Sequence, residues 1–267
     1  MTAAMSEVED LALAIRRNVI TMCAGRGQGY AGQGLSLADL MAVLYSRSMR
    51  RDDSGELIDR FVLSTGHSAV ALFATLGALG VYEIEELATY GSDGSRIEES
   101  PLEGTPGFEI TGGALGQGLS QAVGMAIGER RRGSDATVYC VVSDGELQEG
   151  QVWEAAMAAG HHRLDNLVVL IDNNRMQADG ATEDVMSVEP VPEKFTAFGF
   201  DALRVDAHDI DLLSTELAPG ARTGKPRCLV LETIPGKGVP SLEAYEKVHY
   251  VRAPSEVWDR AMLELDA

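Results

Sequence analysis

The sequence predicts an α/β fold: a doubly wound, mostly parallel sheet with helices on both faces. Three observations predict it. Runs rich in β-branched and aliphatic residues recur at 137–143 (TVYCVVS), 167–172 (LVVLID) and 228–233 (CLVLET). Segments with helical spacing separate them. The runs also lack the in–out alternation of a half-solvated sheet, so both faces must be covered.

The elements follow in order. Residues 6–24 space Leu11, Ile15, Val19 and Met22 at helical intervals and stop at Gly25. The segment 36–48, SLADLMAVLYSRS, opens on Ser36 as a cap and repeats apolar positions at three and four. Residues 60–64 make a short strand, followed by a helix from about 67 to 79. A Gly- and Ala-rich helix spans 116–132 and ends in RRRG, cations where the helix dipole favours them. Strand 137–143, helix 150–162, strand 167–172, strand 201–205, helix 209–217 and strand 228–233 complete the alternation. In such sheets ligands bind beyond the carboxyl ends of the strands.

Composition narrows the function. The 267 residues fit one domain over 1–267. With 22 Lys and Arg against 41 Asp and Glu, the net charge is −19. That excludes an electrostatic binder of nucleic acid or anionic membrane, which needs a basic face. Solubility is the plain reading of the charge. Cys23, Cys140 and Cys228 are odd in number and widely spaced, against a disulfide framework or structural zinc. No apolar run is long enough to cross a bilayer. The start, MTAAMSEVED, has acids where a secretion signal has bases, so a cytoplasmic protein is expected.

Two motifs carry little. Gly27, Gly29 and Gly32 match GxGxxG but follow a helix, whereas a dinucleotide fingerprint follows a strand. A flexible or close-packed loop explains GRGQGYAGQG better. His161 and His162 are adjacent, so they point to different sides of a helix and make a poor ligand pair. Neither GxxxxGK[ST] nor HExxH occurs.

The constellation that carries chemistry is SDGELQEGQVWEAAMAAGHHRLDNLVVLIDNNR. Asp144 follows one buried strand; Asn173 and Asn174 follow the next. The spacing is that of one β-α-β unit. If the strands are neighbours, a carboxylate and a carboxamide oxygen meet at one sheet edge. These are hard oxygen ligands for Mg²⁺ or Ca²⁺. A diphosphate would fill the remaining positions, and Gly145 would allow a tight turn and offer an N–H to it. Taken singly, Asp-Gly is a turn and Asn-Asn a polar strand end. Together at this spacing they favour the metal–diphosphate site.

These residues resemble the thiamine-diphosphate enzymes, whose signature is G-D-G, some 25 to 30 residues, then N-N. More closely the chain resembles transketolase. It carries LSTGH (63–67) for LSNGH, GGALGQG (112–118) for TGPLGQG, DGELQEG (144–150), AGH (159–161), and GKGV (236–239) followed by His249. The resemblance runs from about 10 to 265 and covers the amino-terminal third to half of a transketolase. It implies that Asp144, Asn174 and the main-chain carbonyl of Met176 hold the divalent ion. His67 and Gly145 would bind the diphosphate. His249 would lie near the diphosphate and reactive centre, with His67 and His249 moving protons. Gly113 and Leu115 would approach the cofactor rings. Glu149 and Glu154 would lie where subunits meet and link two cofactors. Helix capping by His67, a solvated face for Glu149 and Glu154, and an ordinary tail position for His249 are the plain alternatives.

A transketolase continues into a pyrimidine-binding domain that supplies the activating glutamate. Its absence here implies an amino-terminal subunit of a split enzyme, with the carboxy-terminal half on a partner chain and a heterotetramer of two of each. The implied reaction is transfer of a two-carbon ketol unit. Two positions depart from the family. Tyr30 stands at or near one substrate-channel histidine, and Ser100 replaces a second, beside Glu98, Glu99 and Glu103. Both changes remove groups that hold or protonate sugar hydroxyls, which implies an altered substrate. The α-subunit of a 2-oxoacid dehydrogenase is an alternative with the same cofactor and architecture. A cofactor-free scaffold is another; Ser143 in place of the first Gly of G-D-G favours it mildly.

Overall fold

The computed structural model describes residues 2–220 and 222–266, with side chains from residue 7, so part of the acidic start lies outside the described side chains. Helix α1 (Thr2–Arg26) buries Val8, Ala12, Ile15, Val19 and Met22, the three-and-four spacing of one helical face. Strand β1 (Arg60–Leu63) and helix α2 (Ala69–Ala78) follow. Then come α3 (Gln117–Arg131), β2 (Val138–Ser143), α4 (Gly150–His161) and β3 (Leu167–Asn173). Strand β4 (Asp201–Asp206), helix α5 (Ile210–Glu216), strand β5 (Arg227–Glu232) and helix α6 (Ser255–Leu265) complete the framework.

The sheet is wholly parallel, in the order β1-β2-β3-β5-β4. Alternate residues of each central strand enter different cores. Tyr139, Val141, Leu170, Leu229 and Leu231 face a core shared with α1, α2 and α6. Cys140, Val142, Val169, Ile171, Cys228 and Val230 face one shared with α3 and α4. The uninterrupted apolar runs thus have the cause inferred for them: neither face meets water. The three cysteines are buried and free. No helix among the described residues is long and apolar enough to cross a membrane.

The segment 31–48 departs from expectation. It is helical in three pieces, Ala31–Ser36, Ala38–Val43 and a wider turn at Leu44–Ser48. Ser36 caps nothing; its buried hydroxyl donates to the Gln33 carbonyl at 3.0 Å. Every residue from 31 to 45 is buried, so tertiary packing sets these boundaries. GRGQGYAGQG, expected as loop, is close-packed and partly helical. Gln28–Gly29 pairs antiparallel with Val251–Arg252, and a side chain on Gly32 would strike the Val248 carbonyl. His161 and His162 do not diverge: the helix ends between them, and their rings meet edge-on at 5.0 Å.

Candidate functional site

Strands β2 and β3 are neighbours, with Ser143 opposite Asp172. Asp144 and the Asn173–Asn174 pair therefore leave the sheet side by side. Asn173 turns toward β5 and donates Nδ2 to Glu232 Oε1 at 2.8 Å. Asn174 turns toward Asp172, donating Nδ2 to its Oδ2 at 2.9 Å and accepting the Met176 N–H on Oδ1 at 2.9 Å. Arg175, at φ 59°, points its N–H at Asp144 Oδ2, 2.8 Å away. The Thr182 hydroxyl donates to the same oxygen at 3.0 Å, and the Gly145 N–H to Oδ1 at 2.8 Å. Asp144, Asn174 and Met176 are thus brought into one hydrogen-bonded unit.

Burial makes negative charge costly in this unit. Asp144 and Asp172 are 1% and 0% exposed. Burial, with the charge of Asp172, pushes the Asp144 carboxyl up to about 7; burial pushes Asp172 up to about 6. The residues fit a hard divalent cation, which would relieve that cost with oxygen donors already in place. Gly145 needs reinterpretation. Its φ is not positive, and a Cβ there would meet only Gln177 Cβ at 3.6 Å. The turn itself does not require glycine. Its N–H is donated to Asp144 Oδ1, so it is not free for an anion as the chain stands.

Two glycine loops cross beside this unit. A side chain on Gly66 would collide with the Gly113 nitrogen, and one on Gly118 with Ser64. The crossing sets His67 next to the 112–118 loop, on which Gly113 and Leu115 are exposed, Gly113 at φ 119°. His67 sits in the short turn Gly66–Ser68 and caps no helix. Its ring lies 5.5 Å from that of His249 and 5.2 Å from that of Tyr30. Tyr30 also meets His249 at 5.7 Å and Tyr250 at 4.8 Å. Gln33 Nε2 hydrogen-bonds His249 Nδ1. Burial, then the neighbouring His249, lowers the His67 pKa to about 4; burial lowers His249 as well. Tyr30 is raised by burial and by Glu99. At neutral pH the cluster holds two neutral imidazoles and a protonated phenol, all able to pass or hold a proton.

The rim carries charge. Tyr250 donates its hydroxyl to Glu99 at 3.0 Å, and Arg26 pairs with Glu99 at 2.6 Å. Ser100 follows, half-buried; Glu103 is exposed. Glu149 and Glu154 are also exposed, Glu149 at the start of α4 with its Cβ against Gly116. Sequence reasoning missed Asp172 and Glu146, both fully buried. Asp172 receives Thr233 Oγ1 as well as Asn174. Glu146 joins Ser143 in the reciprocal Ser-x-x-Glu pattern of a capping box, a signal readable in SDGE.

The family model described as "Transketolase, thiamine diphosphate binding domain" matches residues 8–256. A transketolase family protein of Sinorhizobium fredii is 46% identical over 259 residues, covering 95% of this chain and 93% of that one. The 6-deoxy-6-sulfo-D-fructose transketolase subunit of Clostridium sp. strain MSTE9 is 36% identical over 271 residues, covering 100% and 98%. Among solved structures, transketolase from Leishmania mexicana matches with a TM-score of 0.86 at 31% identity. That match covers 97% of this chain and 41% of the solved one.

Proposed function

The chain belongs to the transketolase family through its thiamine-diphosphate-binding domain, and from that premise we propose that it is the amino-terminal subunit of a split transketolase-like enzyme. The observation that carries the reading is the pair of buried carboxylates, Asp144 and Asp172, set beside Asn174 at the ends of two neighbouring parallel strands. Asp144, Asn174 and the Met176 carbonyl would hold Mg²⁺ or Ca²⁺. Gly145 and His67 would meet the diphosphate, and Gly113 and Leu115 the rings. Bound thiamine diphosphate would supply the nucleophilic carbon for two-carbon ketol transfer.

This chain's own residues would manage protons and orientation. His67 and His249, both neutral, would accept a proton from a sugar hydroxyl or return one to a developing oxyanion. Tyr30 would donate a hydrogen bond where the family has a channel histidine. The exposed carboxylates Glu149 and Glu154 would meet the carboxy-terminal partner chain in a two-plus-two assembly. The subunit name of the Clostridium relative supports a second chain. We further propose a cytoplasmic enzyme, with 1–267 as a single domain and a substrate other than the usual pentose phosphates.

A thermal melt of the chain tests the cofactor site. At a hundredfold excess over Kd, thiamine diphosphate with Mg²⁺ should add about 2.7 kcal/mol, a rise of roughly 5–10 °C. EDTA or Asp144→Ala should abolish it. A rise of equal size in Asp144→Ala would remove the ligand assignment. For the substrate, the assembled complex should turn over xylulose 5-phosphate with ribose 5-phosphate poorly; efficient turnover would sink that part.

A further inference from the structure

Glu146 is fully buried and none of its carboxylate faces the open part of the site. Its Oε1 accepts the Ser64 hydroxyl at 2.6 Å and the Gly116 N–H at 2.8 Å. Its Oε2 accepts the Ser143 N–H at 3.0 Å, and its own N–H reaches Ser143 Oγ at 3.3 Å. Only the Ser143 bonds belong to the local turn. The other two reach segments 82 and 30 residues away.

Each of the three tethered segments leads to a proposed cofactor contact. Ser64 follows β1 and stands three residues before His67. Gly116, at φ 77°, ends the loop that exposes Gly113 and Leu115 and begins α3. Ser143 ends β2, directly before Asp144. We infer that Glu146 is a positioning residue that sets the mutual geometry of the His67 turn, the 112–118 loop and the Asp144–Gly145 turn. This rests on the reading of those segments as a thiamine-diphosphate site. A carboxylate suits the task because it accepts only, and it faces three donors. A glutamine has a single acceptor oxygen. It can keep Ser64 and Gly116 only by setting its amide against the Ser143 N–H.

The test compares the full-length chain with Glu146→Gln, Glu146→Ala and Ser64→Ala. The first readout is amide hydrogen exchange without cofactor. The second is calorimetric titration with thiamine diphosphate and Mg²⁺. In Glu146→Ala, exchange across 111–118 and at 65–67 should rise at least tenfold while β3 and β5 keep wild-type protection. Affinity should fall roughly tenfold for each bond lost, so Ala should be worse than Gln. Ser64→Ala should loosen the same loops more mildly, and decides the matter if Glu146→Ala does not fold. Wild-type protection at 111–118 in the folded variants would overturn the inference. So would uniform loss of protection across the whole sheet, which would mark a merely stabilising residue. If the wild-type chain binds no thiamine diphosphate, the cofactor reading falls and the exchange arm still decides whether Glu146 couples the loops.

Discussion

His67 ties a titration to the fold. Its pKa of about 4 lies below the ordinary value of 6.5, so the folded chain disfavours its protonated form. The stability this represents is present above pH 6.5 and is lost as pH falls toward 4. The loss amounts to about 3 kcal/mol over that window. Urea midpoints of wild type and His67→Gln, followed from pH 7 to 4.5, should therefore diverge, with the variant losing less stability on acidification. Parallel curves would show that the imidazole is free to charge. Gly66 is a second residue with a definite cost. An alanine there meets the Gly113 nitrogen, so Gly66→Ala should lose about 1–3 kcal/mol by overpacking and weaken cofactor binding. A wild-type melt and affinity would contradict the crossing. Much at this scale could be read from the chain alone. Asp144 and Asn174 announce themselves because each follows an apolar run. Glu146 shows only its local bond to Ser143, and Asp172 only its neighbour Asn174; their other partners, Ser64, Gly116 and Thr233, are distant in sequence and only folding brings them together.

Among the elements, legibility follows how many sides are buried. The central strands stand out because apolar residues fill both faces, and α1 because it buries one stripe. Residues 31–48 are different. From 31 to 45 they are buried all round, so no periodicity marks where one helical piece stops and the next begins, and Ser36 looks like a cap when it is interior. The β-α-β spacing admits β2 and β3 as neighbours; their register, with Ser143 opposite Asp172, is what brings Asp144 beside Asn173 and Asn174. Strand β3 is the element on which both cores depend. Leu170 is 0% exposed in the core under α1, so Leu170→Ala should cost about 2–5 kcal/mol in urea unfolding. A loss under 1 kcal/mol would mean that this core can collapse around the gap.

At the scale of the whole molecule, acidic charge dominates. A net charge of −19 on 267 residues repels itself in the compact state. Adding salt between 20 and 200 mM shortens the reach of that repulsion, so the melting temperature should rise with NaCl; a flat response would show that the local ion pairs already balance it. The strand order has a different consequence, one for synthesis on the ribosome. Strand β5 is the last of the five to be made, yet it lies between β3 and β4. Until residue 232 has emerged, β3 presents an unpaired hydrophobic edge, and β4 has no place to dock. Open edges of this kind recruit other chains. A nascent chain ending at residue 225 should accordingly partition into the insoluble fraction, whereas the 267-residue chain should not. A soluble, monomeric 1–225 would show that another segment shields β3 in the meantime. If it does aggregate, the synthesis of residues 174–232 is the interval in which this protein most needs a chaperone.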